Sequence, residues 1–235
     1  MFNKSAAIYD AIFRAKGKNW EEEVEQFSAL VMRYKRSGGN TLLAVACGTG
    51  GHEQHLRKKF DVTGLDIDPA MLAIARERLP GVDLHCASMV DFHLDKKFDV
   101  VMCLFSAIGY ANTPDTMRQS IRTMSGHLAP GGILVVEPWI SLQEYKPGAV
   151  FATFVDQPDL KVARMNTNIL RGTLSVIEFH YLVGTPKGVE HFTEHHELGL
   201  YSAEEYRAAF QACGLETHFE KEGLIGRGVY VGIRP

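Results

Sequence analysis

Between Thr41 and Trp139 the chain alternates short apolar runs with amphipathic stretches, and this rhythm restricts its fold more than any other feature. TLLAVA (41–46), DVTGLDI (61–67), VDLHCAS (82–88), FDVVMCLF (98–105) and ILVVEPW (133–139) are too short for core helices. TLLAVA is also a fully apolar run, as a buried parallel strand should be. A helical stretch runs to Phe60. Pro69 opens another (PAMLAIARERL), and PDTMRQSIRTMSGHL is stopped by APGG. This spacing predicts a parallel sheet with helices on both faces, wound by right-handed crossovers. A helix over 20–35, with Val24, Phe27, Leu30, Val31 and Tyr34 on one face, precedes it.

The rhythm changes after Trp139. VFATFV, KVARMNTNIL, TLSVIEFHYLV and GVEHFTEHHELGL read as antiparallel strands joined by turns such as RGT and TPKG. SAEEYRAAFQACG is a helix with a Ser202/Glu205 capping box and Gly214 as its stop. Strands LETHFEKE and RGVYVGIRP close the chain. The whole reads as one α/β domain, a doubly wound seven-stranded sheet with an inserted antiparallel meander. Its parts are a helical cap (1–40), a ligand-binding core (41–139), the insert (148–200) and a C-terminal helix with strands (201–235). The insert can serve as a lid, a dimer surface or both.

A net charge of -3 argues against a dedicated nucleic-acid binder, which carries a basic excess. Cys47, Cys86, Cys103 and Cys213 are too scattered for a zinc site and read as buried thiols of a reducing compartment. No signal peptide and no membrane-spanning run is legible, so a cytoplasmic location is expected.

Ligands of an open parallel sheet bind beyond the carboxyl ends of its strands. There the first strand carries VACGTGGH, where glycines let a ligand approach the backbone closely. The second ends at Asp66, 18 residues after Gly48, near the ~20 expected of a nucleoside-binding βαβ unit. Asp66 can therefore accept hydrogen bonds from a ribose, while Asp68 before Pro69 reads as a helix cap. Ala87, Ser88 and Met89 end the third strand, where an adenine could stack.

VACGTG, GLDIDPAMLAIAR, ASMVDF, FDVVMCLFSAIGY and LAPGG, in this order, resemble the S-adenosylmethionine (SAM)-dependent methyltransferases, a Rossmann-like class. The resemblance implies SAM as cofactor, with Gly48 and Gly50 near its methionine part, Asp66 on its ribose and Met89 beside its adenine. Ala46, His52, Ile67, Met71, Ser88 and Leu104 complete the expected cofactor set. Two positions depart from the pattern. Ala44 stands where an acid is usual and Ser88 where a second one is, which puts SAM affinity in question.

The chain is further similar to the N,N-dimethyltransferases of nucleotide-linked 3-amino-deoxysugars in antibiotic biosynthesis. IYD, KGKNW, FSAIGY, VVEPW, KGVEHFTEHHELGLYSAEEY and GRGVYVG carry this likeness. It implies N-methylation of such a sugar; the alternatives are another small amine or hydroxyl, or a family member with an impaired SAM site. Tyr9 and Tyr110 are the expected catalytic residues, or else amphipathic core tyrosines. Ser106, Glu137, Trp139, His180 and Arg227 are the expected substrate contacts. Trp139 could equally be a core anchor, and Arg227 either grips a pyrophosphate or lies on the surface. His180, His191, His195 and His196 lack convincing ligand spacing, so no metal is expected. A homodimer fits the resemblance.

Overall fold

A computed structural model describes residues 4–235. Helices α1 (Tyr9–Ala15) and α2 (Trp20–Tyr34) lead into β1 (Thr41–Val45), α3 (Glu53–Leu56), β2 (Asp61–Asp66), α4 (Pro69–Arg78), β3 (Asp83–Cys86) and β4 (Phe98–Cys103). Then come α5 (Pro114–Gly126) and β5 (Leu128–Val136). Strands β6 (Val150–Gln157), β7 (Leu160–Arg171), β8 (Leu174–Thr185) and β9 (Gly188–Gly199) form the insert, before α6 (Ala203–Ala212), β10 (Glu216–Glu220) and β11 (Val229–Ile233).

The main sheet has seven strands in the order β10-β11-β5-β4-β1-β2-β3. β1 to β5 pair in parallel; β11 runs antiparallel to β5 and β10 to β11. All of β4 is buried, as the unbroken apolar run requires. Alternate residues serve two cores. Leu43, Val101 and Leu134 pack against Met117, Ile121 and Phe210 of α5 and α6. Leu42, Ala44, Val100 and Ile133 pack against Val24 and Phe27 of α2 and Leu56 of α3.

Two expectations are revised. The helix after the glycine loop is only Glu53–Leu56 and dissolves into turns before Phe60. β5 starts at Leu128, so APGG lies inside the strand rather than before it. The pairing register with β4 shifts there. Gly132 is required because a Cβ would sit 2.9–3.0 Å from three carbonyl oxygens.

The insert is a separate four-stranded antiparallel sheet, β6-β7-β8-β9. Its inner face, through Val155, Val162, Tyr181 and Val183, packs on Ile8 and Ile12 of the N-terminal segment. The sheet thus pins α1, and Tyr9 with it, over the core domain. Its outer face is solvent-exposed and partly apolar.

Candidate active site

The glycine loop turns at the end of β1 with Ala46, Gly48 and Gly50 all at positive φ. At Gly50 a Cβ would also stand 2.7 Å from the Leu79 side chain, so glycine is required twice over. Open space lies where a Gly48 Cβ would be, on the side a ligand would approach. Asp66 organises the loop. Its two oxygens accept the Gly48 N–H (2.8 Å) and the Asp68 N–H (2.9 Å). Burial raises its pKa against these bonds, which favour the carboxylate. Ile67 is about half exposed next to it, and Met71 is buried in the first turn of α4. Ser88 and Met89 follow β3, half-buried, with the Ser88 hydroxyl accepting the Val90 N–H. Asp68 caps α4, accepting the Ala70 N–H at 2.9 Å, as its place before Pro69 predicts.

The N-terminal segment walls the loop. Arg78 of α4 pairs with Asp10 of α1 and donates to the Thr49 carbonyl at 2.9 Å. Thr49 in turn donates to Asp10 at 2.7 Å, so three elements are clasped. His52 reaches the Glu23 carboxylate at 2.8 Å, and Lys18 reaches it at 2.7 Å. Lys18 also lies 3.6 Å over the Phe105 ring. Burial keeps His52 below the usual imidazole range. Tyr9, Ala46, Gly48, His52, Glu53, Leu104 and Phe105 are among the residues lining the enclosed cavity so formed.

Past β4, Phe105 and Ser106 adopt left-handed φ of 54° and 61°, a strained conformation for non-glycine residues. Glu137, at the end of β5, holds the turn by accepting the Phe105 N–H at 2.5 Å. Ser106 donates to the Pro138 carbonyl at 2.7 Å, and Arg227 donates to Ser106 at 2.8 Å. The Arg227 guanidinium stacks 4.5 Å over Trp139. Glu137 is 1% exposed with Oε1 unpartnered among the described residues, and desolvation pushes its pKa up to about 7.

The insert supplies the far wall. Tyr110 bonds His196 Nδ1 at 2.9 Å, and His196 Nε2 lies 3.7 Å from Glu194, an ion-pair rather than a hydrogen-bond distance. Glu194 accepts the Ser5 hydroxyl at 2.7 Å, and its hydrogen bonds hold its pKa near 2 against burial. Burial raises Tyr9 and Tyr110 well above the usual phenol range, so both stay protonated. Arg164, buried on β7, faces the Phe13 and Phe179 rings.

The structure therefore gathers Tyr9, His52, Leu104 and the glycine loop around one cavity, with Asp66 bonded to that loop. Ser106, Glu137, Trp139 and Arg227 meet around the turn past β4, and Tyr110 meets His196 of the insert. His180 is not brought in. It bonds Glu178 on the exposed face of β8, because alternate residues Phe179, Tyr181 and Val183 take the inner face. His196, not His180, is the inward histidine. Glu194 belongs to the His/Glu group of the insert, within KGVEHFTEHHELGLYSAEEY, whereas sequence reasoning missed Lys16, Lys18, Glu53 and Arg164. Lys16 and Lys18 lie in the quoted KGKNW segment, the one available signal for them. Among the described residues no three His, Cys, Asp or Glu side chains converge as a metal site. The cysteines are free; Cys103 is buried as expected, but Cys47 and Cys213 are half-buried and Cys86 is exposed.

The methyltransferase-domain family matches residues 42–132. The chain is 38% identical over 230 residues to dTDP-3-amino-3,4,6-trideoxy-alpha-D-glucopyranose N,N-dimethyltransferase of Streptomyces venezuelae, covering 97% of both chains. It is also 38% identical to dTDP-3-amino-3,6-dideoxy-alpha-D-glucopyranose N,N-dimethyltransferase of Streptomyces fradiae, covering 97% of this chain and 90% of that one. Among solved structures, Streptomyces venezuelae DesVI superposes with a TM-score of 0.93 at 37% identity, covering 99% of each chain. An amino pentose methyltransferase from Micromonospora echinaspora involved in calicheamicin biosynthesis, solved with SAM bound, superposes at 0.88 with 39% identity over 97% of each. The chain belongs to the methyltransferases, in the family of the dTDP-amino-sugar N,N-dimethyltransferases.

Proposed function

We propose that the protein transfers methyl groups from SAM to the amino nitrogen of a nucleotide-linked 3-amino-deoxysugar. The cofactor end fits SAM. The positive-φ glycine loop leaves room for a chain, and each Asp66 oxygen retains acceptor capacity for a ribose hydroxyl beyond its one backbone bond. Ile67, Met71, Ser88 and Met89 stand where the adenine would lie. SAM, when bound, supplies a methyl on a sulfonium; the protein's task is to orient the amine and remove its proton.

The observation that carries the sugar-nucleotide reading is a set of cations beside this cleft. Desolvation first, then Arg164 and Arg227, lowers the Lys16 pKa, and Arg227 also acts on Lys18. A diphosphate answers such a cluster, and the planar Arg227 fork suits it best. In a methyl-transfer assay with a dTDP-3-amino-deoxysugar, Arg227→Ala is expected to raise KM by about 10- to 100-fold, from the loss of a charge-assisted contact. The kcat should fall less. An unchanged KM would remove the diphosphate role, and transfer to a free amine but not to the dTDP sugar would favour another small amine.

For the proton, Tyr110 stands at the head of a chain. As the sugar ammonium gives its proton to the Tyr110 oxygen, the phenol proton passes to His196 Nδ1, and the imidazolium faces Glu194. The neutral amine is then oriented for the methyl that bound SAM would supply. Tyr9, protonated, positions rather than accepts. Tyr110→Phe is expected to lower kcat about 10- to 100-fold at neutral pH. The deficit should shrink at alkaline pH, where the amine is already neutral, and SAM affinity should hold. A pH-independent deficit would make Tyr110 a packing residue only.

The outer face of the insert sets Phe154 opposite Ala163, and Ala163 opposite Leu182, with Met165 alongside. Phe154 is 65% and Leu182 50% exposed. This apolar row supports a homodimer; sedimentation of Leu182→Glu as a monomer against a dimeric parent would bear it out. Among the described residues no helix is long and apolar enough to cross a membrane. The four free thiols support a cytoplasmic site of action, which fractionation of the producing cell would check.

A further inference from the structure

Ala44 leaves the cofactor loop without the carboxylate that the resemblance expects, yet another carboxylate lies beside the same loop. Glu53, the first residue of α3, is 1% exposed and lines the cavity with Tyr9, Ala46 and Gly48. Its Oε2 has no hydrogen-bond partner among the described residues. The cations that bear on it are engaged elsewhere, Lys18 with Glu23 and Arg78 with Asp10. The other acids of the pocket are also committed: Asp66 to two backbone N–H groups, Glu23 to Lys18 and His52. Positions 44 and 53 border one layer, since Ala44 packs in the same cluster as Leu56 of α3.

A buried carboxylate oxygen without a partner is costly in a folded protein and calls for a ligand. Desolvation pushes the Glu53 pKa up to about 7, so a cation placed against it would draw it into the charged form. The methionine end of SAM carries an α-ammonium, and the glycine loop is where that end is received. We propose that Glu53 supplies, from α3, the carboxylate that binds the SAM α-ammonium, in place of the acid absent at Ala44. This rests on the cavity being the SAM site.

The test is calorimetric titration with SAM, S-adenosylhomocysteine and 5′-methylthioadenosine, which keeps the nucleoside but has no ammonium. Glu53→Gln, nearly isosteric, should weaken SAM and S-adenosylhomocysteine about 10- to 100-fold, the effect of one charge-assisted contact. Binding of 5′-methylthioadenosine should stay unchanged. Glu53→Leu, which removes the unpartnered buried carboxylate altogether, should show the same selective loss. Adding Ala44→Asp to Glu53→Leu should recover most of the SAM affinity. Undiminished SAM binding by both variants would overturn the assignment while leaving the cofactor reading intact. Equal loss of 5′-methylthioadenosine would overturn it in favour of a purely structural carboxylate. A parent chain that binds none of the three would overturn the cofactor reading and this assignment together.

Discussion

Asp66→Ala is expected to weaken SAM binding by about 10²- to 10⁴-fold, taking roughly 1.5–3 kcal/mol for each of two charge-assisted hydrogen bonds to ribose hydroxyls. Two effects combine. The ribose loses its acceptor, and the Gly48 and Asp68 N–H groups lose theirs, at 2.8 and 2.9 Å. The second effect loosens the glycine loop before any ligand arrives. Asp66→Asn separates the two. Its amide oxygen keeps one N–H partner while its NH2 confronts the other, so an intermediate loss is expected. Calorimetric titration with SAM reads the affinity, and circular dichroism checks that β1 and β2 remain paired. A loss under tenfold in Asp66→Ala would place the ribose elsewhere.

The parallel core was legible because its central strands are short and apolar and helix signals alternate with them. β4 is buried at every position, so its sequence had no polar alternative to offer. The glycine loop and Asp66 were legible for a related reason: positive φ and a ribose-facing acid each demand one residue type at one spacing. Alternation places His195 and His196 on opposite faces of β9 but does not say which face is inward. On β8 the signal was there, since Ile177, Phe179, Tyr181 and Val183 share one face and exclude His180 from it. Glu53 and Arg164 were not legible. An acid opening a helix reads as a first-turn residue, and an arginine in KVARMNTNIL reads as solvent-facing, until the clasp of α1 and the insert buries both sites. That burial is a long-range product of the packing between Ile8, Ile12 and the insert, with no local period to announce it.

The same two buried acids that serve the site should destabilise the unliganded protein as pH rises. Glu53 and Glu137 each titrate near 7 when folded, up from 4.5. Below pH 4.5 both states hold the proton and nothing is lost. Between 4.5 and 7 the unfolded chain releases it while the folded chain keeps it, so the folded state binds more protons and stability falls with pH. Above 7 the loss is complete. A span of about 2.5 units at roughly 1.36 kcal/mol each sets it at no more than about 3 kcal/mol per group. His52, His127 and His196 act oppositely, because burial lowers their pKa and stability drops as pH falls below 6.5. The clean observable is therefore the difference between variant and parent. In urea unfolding, the advantage of Glu53→Gln over the parent should be absent at pH 4.5, grow to pH 7 and then stay level. Glu137→Gln should follow the same curve, since a glutamine can still accept the Phe105 N–H. Saturating SAM should then close the gap at Glu53 and leave most of it at Glu137, because only Glu53 faces the ammonium. A pH-independent advantage for both variants would mean that neither acid is held protonated by the fold.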